Sequence, residues 1–241
     1  MQFINKDNIF DYAFINTDSL ILPVKAVCVD FHGYTDATMI SKSEGKAKLL
    51  GEKGIAWVFP YYSVWAWMSE ASQEFNEQVL DAVYRKLRIP DTVPLIITGG
   101  SMGGLTALCY QVYGKRKAVA CAANCPVTDM GVFFRDFAKD RRAILSAHIL
   151  DERPLEAVLE EYSPVKFADK LPAIPYFLIY GEKDTIITDR FMPQFVGAMQ
   201  AAGHNVTHIL QKDMVHCDLS NHKEALDAWC NFIIGQAERA Q

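Results

Sequence analysis

Residues 99–103 read Gly-Gly-Ser-Met-Gly, a G-x-S-x-G pattern that could hold a nucleophilic serine, Ser101. The apolar run Pro94–Thr98 leads directly into this pattern, and a helical pattern leads out of it. A serine on such a strand-to-helix turn is held in a strained backbone conformation that exposes its Oγ above the sheet. The alternative is a glycine-rich turn that only joins a strand to a helix. A phosphate-binding loop is excluded, because neither G-x-G-x-x-G nor G-x₄-G-K-[ST] fits.

A serine hydroxyl is a weak nucleophile at neutral pH, so Ser101 needs a general base, and that base needs an orienting acid. Asp184 follows the apolar run Tyr176–Tyr180, and His216 follows the run Val206–Leu210. Each candidate therefore lies just past the end of a predicted strand. Because the carboxyl ends of parallel strands meet at one edge of a sheet, we predict that the three side chains lie together.

Three other aspartates and a metal site are the alternatives to the set of Ser101, Asp184 and His216. Asp129 also follows an apolar run and stays open as an alternative acid, whereas Asp213 and Asp218 flank His216 too closely in sequence to orient its far side. The chain has no H-E-x-x-H and no paired C-x-x-C spacing. We therefore predict no metal site and no cofactor.

Residues 31–36 read Phe-His-Gly-Tyr-Thr-Asp and could complete an oxyanion hole, because they directly follow the first strong apolar run. A His-Gly turn at this point directs the backbone N–H of Tyr34 across the sheet toward Ser101. The N–H of Met102, at the start of the following helix, is the predicted second donor. His32 is predicted to hydrogen-bond within the loop and to transfer no proton.

Short apolar runs rich in Val, Ile and aromatic residues alternate with amphipathic helical patterns along the whole chain. Strands buried on both faces of a parallel sheet have this appearance. The prediction is an α/β fold, a mostly parallel sheet with helices on both faces, in one domain over residues 1–241. The predicted strands are Val24–Asp30, Ile55–Phe59, Pro94–Thr98, Ala118–Ala123, Tyr176–Tyr180 and Val206–Leu210. The predicted helices include Met102–Tyr113, Arg190–Ala202, one around Phe75 to Leu87 and one around Leu226 to Ile233.

Thr128–Leu171 interrupts this alternation before the strand that carries Asp184. Its apolar stripes predict two or three short helices. They are either packing helices or a small cap over the edge of the sheet where ligands of open α/β folds bind. The sequence favours neither.

The overall composition excludes several classes of function. The net charge of −5 argues against nucleic acid and anionic membrane surfaces as partners. No apolar run approaches the ~20 residues that cross a bilayer, and the N-terminus lacks the layout of a signal peptide. The six cysteines are scattered through a large chain, mostly in apolar stretches, which is typical of buried thiols. We expect a cytoplasmic protein.

The sequence resembles the α/β-hydrolase superfamily, and most of all its prolyl-oligopeptidase and dienelactone-hydrolase-like branch. The chain order Ser101, Asp184, His216 is that of the superfamily. Ser163-Pro164 together with residues 174–184 is similar to the S-P…P-x-L-x-x-x-G-x-x-D signature of the branch. Residues 31–36 resemble the oxyanion segment of acetyl-xylan and cephalosporin-type deacetylases. The β-propeller of true prolyl oligopeptidases is absent.

These features predict a serine hydrolase that cleaves carboxylic esters of small molecules. The aromatic cluster at residues 60–68, with Trp65 and Trp67, either lines the substrate pocket or packs a helix. One alternative is an oligopeptidase, for which candidate anchors of a peptide terminus lie in the inserted helices, at Arg135, Arg141 and Arg142. The other is a non-catalytic protein of the same fold that binds a ligand. The sequence does not indicate an oligomeric state.

Overall fold

In residues 3–187 and 191–241, which the computed structural model describes, seven strands form one sheet. Their order across the sheet is β1-β3-β2-β4-β5-β6-β7, and only β1 runs antiparallel to its neighbour. The strands are β1 (Ala13–Ile15), β2 (Ala26–Phe31), β3 (Ile55–Pro60), β4 (Leu95–Gly100), β5 (Ala118–Asn124), β6 (Tyr176–Gly181) and β7 (Val206–Gln211).

The six predicted strands all occur, with ends that differ by at most two residues. β2 to β6 are almost entirely buried, because helices cover them on both faces, and this burial produced their continuous apolar runs. β7 lies at the edge of the sheet, and its residues are all partly buried or exposed. β1 was not predicted, since a strand of only three residues carries too little periodicity to detect.

Helices flank the sheet, which confirms the predicted fold class. They are α1 (Gly45–Gly51), α2 (Glu70–Leu87), α3 (Met102–Tyr113), α4 (Met130–Asp136), α5 (Arg141–Ala147), α6 (Leu155–Glu161), α7 (Phe191–Ala201) and α8 (Lys223–Arg239). Short 3₁₀ helices cover Ile9–Asp11, Pro164–Lys166, Ala168–Lys170 and Leu219–Asn221. The predicted start of α7 at Arg190 lies outside the described residues. Among these helices, none combines the length and apolarity that a membrane span requires.

The segment 128–171 folds as three short α-helices, α4 to α6, within the range that its apolar stripes predicted. Ser163 links α4 to α6, because its Oγ accepts the backbone N–H of Met130 at 2.8 Å and donates to the carbonyl of Leu159 at 2.7 Å. Tyr162 connects the segment to α2 through a 3.0 Å hydrogen bond from Gln73. The Ser-Pro element of the sequence signature therefore has a structural role in anchoring the insertion.

Candidate active site

Ser101 lies at the sharp turn between β4 and α3, with φ 55° and ψ −120°. A positive φ is strained for a residue with a side chain, and the surrounding backbone imposes it. The Ser101 N–H donates to the carbonyl of Asn124 on β5 at 2.9 Å. A Cβ atom on Gly103 would come within 2.0 Å of the Phe31 carbonyl oxygen, and one on Gly99 within 2.3 Å of the Gly103 oxygen. Glycine at both positions is therefore a steric requirement of this turn.

His216 connects Ser101 to Asp184 through two hydrogen bonds. Its Nε2 lies 2.8 Å from Ser101 Oγ, and its Nδ1 lies 2.8 Å from Asp184 Oδ2. An ionised carboxylate accepts only, so Nδ1 carries the ring proton of the neutral imidazole. The lone pair on Nε2 is then free to accept the serine hydroxyl proton. The structure brings together the three side chains that the sequence order had suggested.

Asp184 is fixed and fully enclosed, with a side chain that has no exposed surface. Its Oδ1 accepts the backbone N–H groups of Ile186 at 2.8 Å and Ile187 at 2.9 Å. Burial raises the pKa of Asp184, but the hydrogen bond and charge of His216 and these two N–H donors outweigh burial and hold the pKa below its usual value. The carboxyl group therefore stays ionised while it orients the imidazole.

His216 has a raised pKa for the complementary reason. Burial lowers the pKa of the imidazole. Hydrogen bonds and charge from Asp184 and Cys125 together raise the pKa by more than burial lowers it, to about 9. A general base must be neutral to accept a proton. A raised pKa means that the neutral form is reached only at higher pH, so the active form accumulates toward alkaline pH.

We predict that kcat/KM for an ester rises with pH and reaches its midpoint above the ordinary histidine value of about 6.5, toward 9. Values of kcat/KM measured from pH 5 to 10, after correction for spontaneous ester hydrolysis, give the midpoint. His208 is exposed on β7 and serves as the control, because His208→Gln should leave the midpoint unchanged. A native midpoint at or below 6.5 would contradict this reading of the Asp184 contact.

Tyr34 and Met102, the predicted oxyanion donors, lie in the two segments that flank Ser101. The loop after β2 lies against the turn, since a Cβ on Gly33 would be 3.6 Å from Ser101 Cβ, and Tyr34 follows in this loop. Met102 is the first residue of α3, where N–H groups have no partner within the helix and the helix dipole is positive. Within the described residues, no acceptor meets the N–H of either Tyr34 or Met102.

His32 holds the loop that carries Tyr34. Its Nδ1 lies 2.9 Å from the carbonyl oxygen of Gly33 and its Nε2 3.1 Å from that of Tyr62, while its ring stacks on the Tyr62 ring at 3.9 Å. Both ring nitrogens thus lie within hydrogen-bond distance of a backbone carbonyl, and a neutral ring donates to one of the two. This arrangement agrees with the loop-bonding role that the sequence suggested for His32.

The alternative acids have other partners. Asp129 accepts the N–H of Val132 at 2.9 Å and so caps the N-terminus of α4. Asp213 pairs with Lys183 at 2.6 Å on the surface. Asp184 is the carboxylate that contacts the Nδ1 atom of His216.

Comparison with known proteins identifies the family to which this sequence belongs. The model of the prolyl oligopeptidase family matches residues 61–236. This chain belongs to the prolyl oligopeptidase family. The family is one of serine hydrolases, and the resemblance read from the sequence is confirmed. No curated protein sequence matches the chain.

Solved structures show the same fold at low sequence identity. A puromycin-hydrolyzing peptidase from Mycobacterium tuberculosis is 17% identical with a TM-score of 0.74 over 95% of this chain and 37% of its own. An acylaminoacyl peptidase from Pyrococcus horikoshii is 17% identical, with a TM-score of 0.69 over 89% and 37%. Esterase B from Lactobacillus rhamnosis is 14% identical, with a TM-score of 0.68 over 89% and 76%. This family member spans little more than a third of the two peptidase chains, and most of the esterase.

A cavity of about 570 Å³ opens beside Ser101 and His216 in this family member. Aromatic and aliphatic side chains form much of its wall, and three charged side chains reach it. The apolar lining includes Phe31, Phe59, Leu219, Leu226 and Trp229, and the charged lining comprises Asp30, Asp36 and Lys46. Lys46 pairs with Asp30 at 2.5 Å, so these two charges largely neutralise each other.

Trp65 and Trp67 are not among the described residues that line this cavity. Trp67 is only 1% exposed, and its ring packs between Tyr34 and Phe133 at centroid distances of 5.4 and 5.3 Å. Trp65 is 48% exposed and lines a separate cavity with His148. Contact of either ring with substrate therefore stays a prediction. Trp67 contacts the site through the Tyr34 ring and through its backbone N–H, which donates to Met102 Sδ at 3.4 Å, and Phe133 links it to the inserted helices.

The sequence analysis missed a cluster of two cysteines beside His216. The ligand atoms of Cys125, His216 and Cys217 all lie within 4.8 Å of one another. The hydrogen bond from Cys217 lowers the pKa of the Cys125 thiol more than burial raises it, and His216 adds to the lowering. The two cysteines come from loops after different strands, so no local spacing pattern reveals them. The only sequence signal is a cysteine directly after His216 and another directly after β5.

Proposed function

We propose that this chain cleaves carboxylic esters of small molecules through an acyl-enzyme. Ser101 Oγ attacks the ester carbonyl carbon while its proton passes to His216 Nε2, and Asp184 stabilises the imidazolium. The N–H groups of Tyr34 and Met102 stabilise the tetrahedral oxyanion. His216 then gives the proton to the leaving alcohol. Water, deprotonated by the same imidazole, releases the acid and restores Ser101.

The observation that carries the proposal is the hydrogen-bonded chain of Ser101, His216 and Asp184 at a confined cavity. Its volume of about 570 Å³ is in the range of small-molecule sites, and it must hold both the acyl and the alcohol parts of a substrate. An aromatic and aliphatic wall suits an uncharged acyl group. Because the same cavity must also hold the alcohol part, we propose that the acyl chain is short.

The three arginines considered as anchors of a peptide terminus are not among the described residues that line the cavity, and this favours an ester substrate. The guanidinium of Arg141 donates to the carbonyl of Phe134 at 2.7 Å, and Arg135 pairs with Asp136. Arg142 lines a separate cavity with Leu145. An oligopeptidase needs a group that holds a peptide terminus, so hydrolysis of peptide amides is the competing outcome of the test below.

We predict that p-nitrophenyl acetate and butyrate are hydrolysed faster than the C10 and C12 esters and faster than peptide p-nitroanilides. Leu226 is partly buried and lines the cavity, so Leu226→Ala should shift the preference toward longer chains. Each additional buried CH₂ is worth about 0.8 kcal/mol, or about fourfold in kcat/KM. Leu210→Ala, at an exposed residue of β7 that is not in the cavity lining, is the matched control and should leave the profile unchanged. Faster cleavage of peptide amides, or of C10–C12 esters by the native enzyme, would contradict the proposed substrate class.

A further inference from the structure

We propose that Cys125, Cys217 and His216 form a binding site for a thiophilic divalent cation such as Zn²⁺, and that the bound ion blocks hydrolysis. The ligands would be the two Sγ atoms and the imidazole Nε2. The blocking effect rests on the proposed function, in which His216 is the general base. The binding itself does not.

The ligand atoms already have the spacing that a tetrahedral ion needs. Zn–S bonds of ~2.3 Å and Zn–N bonds of ~2.0 Å place neighbouring ligand atoms about 3.5–3.8 Å apart in a tetrahedron. Cys217 Sγ lies 3.7 Å from His216 Nε2, and all three ligand atoms lie within 4.8 Å of one another. An ion can therefore be bound by small side-chain movements, with one position left for water or substrate.

The backbone holds both cysteines in place before any ion arrives. Cys125 has φ 45° and Cys217 has φ 57°, a region that side-chain-bearing residues rarely adopt. The Cys125 N–H donates to the carbonyl of Ile179 on β6 at 2.7 Å. Cys217 Sγ lies 3.6 Å from the carbonyl oxygen of Asn124 and packs against Gly100. The thiols are thus preorganised toward His216.

The surroundings of His216 match a metal-binding histidine. Its Nδ1 donates to Asp184 at 2.8 Å, and such a carboxylate–histidine–metal arrangement fixes the tautomer that leaves Nε2 free to ligate. Two thiolates balance the charge of a divalent ion, and their protons pass to solvent on binding. Thiolate and imidazole ligands favour Zn²⁺ or Cd²⁺ over Mg²⁺ or Ca²⁺.

Binding and catalysis require the same lone pair. Ser101 Oγ lies 2.8 Å from His216 Nε2, so the hydroxyl donates to the atom that an ion would ligate. With the ion in place, Nε2 cannot accept the serine proton. Cys217 also lines the cavity beside Ser101, which gives the ion a route to the site.

The binding test uses the full chain with Ser101→Ala, in a non-thiol reductant, titrated with Cd²⁺ while the ultraviolet absorption of Cd–thiolate bonds is recorded. We expect one ion per chain with the signal of two thiolates. Cys125→Ser and Cys217→Ser, each combined with Ser101→Ala, should halve the signal and weaken binding at least about tenfold. Cys109→Ala, at a buried thiol on α3, is the matched control and should bind like the parent. Should Cys125→Ser fail to fold, Cys217→Ser at its partly exposed position carries the test.

The inhibition test follows ester hydrolysis by the native chain in Zn²⁺ and then in a chelator. Zn²⁺ should abolish activity reversibly, Mg²⁺ should not, and Cys217→Ser should need at least about tenfold more Zn²⁺ for half inhibition. Absence of thiolate-linked Cd²⁺ binding, or binding by both cysteine variants that equals binding by the Ser101→Ala parent, would overturn the site. Binding of the ion without loss of ester hydrolysis would overturn the proposal that the bound ion inhibits the enzyme. A chain that binds Cd²⁺ but hydrolyses no ester would instead refute the proposed function.

Discussion

Replacing Ser101 with alanine is expected to lower kcat/KM for a short-chain ester by about 10⁴- to 10⁶-fold. The nucleophile is lost, while the cavity and the N–H groups of Tyr34 and Met102 stay in place. The residual rate then comes from binding and oxyanion stabilisation alone. Steady-state hydrolysis of p-nitrophenyl acetate measures the change.

The Ser101→Ala chain should still fold, because only one oxygen atom is removed from the turn. Thermal unfolding that matches the native chain is the control. A variant that keeps activity within about tenfold of native would remove Ser101 from the mechanism. It would also favour the alternative that the fold serves only to bind a ligand.

Asp184→Asn is expected to lower kcat by about 10³- to 10⁴-fold. An amide cannot hold the His216 ring in the tautomer that leaves Nε2 free, and it cannot stabilise the imidazolium that forms. Asp129→Asn is the matched comparison, because asparagine caps the N-terminus of α4 as well as aspartate does. Its activity should stay near native.

The ranking of the two variants decides which carboxylate orients the base. Both chains are assayed with the same ester at the same pH, after their folding has been checked by thermal unfolding. A larger loss in Asp129→Asn than in Asp184→Asn would assign the orienting role to Asp129. The hydrogen bond between Asp184 and His216 would then be structural.

Much of the fold could be predicted because its signals are local in sequence. Strands β2 to β6 are buried on both faces, so their residues are apolar without interruption. The turn at Ser101 has its own glycine pattern, because glycines at 99 and 103 are needed wherever strand, turn and helix meet so closely. Asp184 and His216 each follow a predicted strand, and the carboxyl ends of parallel strands meet at one edge of the sheet.

The features that could not be predicted depend on tertiary contacts. An aromatic residue near a strand end reads the same whether it lines a cavity or packs a helix, and only the fold places Trp67 between Tyr34 and Phe133. The cavity wall at Leu226 comes from α8, far along the chain from the other lining residues. Cys125 lies near His216 only because β5 and β7 end at the same edge of the sheet, and the two residues lie in the loops that follow these strands.

Labelling with a fluorophosphonate followed by peptide mapping tests the central assignment most directly, because the reagent phosphonylates a serine that an adjacent base has activated. We predict one adduct per chain, on the peptide that contains Ser101, formed by the native chain and absent from Ser101→Ala. Asp184→Asn should label far more slowly, whereas Asp129→Asn should label like the native chain. No adduct on the native chain, or an adduct on a different residue, would contradict the assignment of Ser101 as the nucleophile.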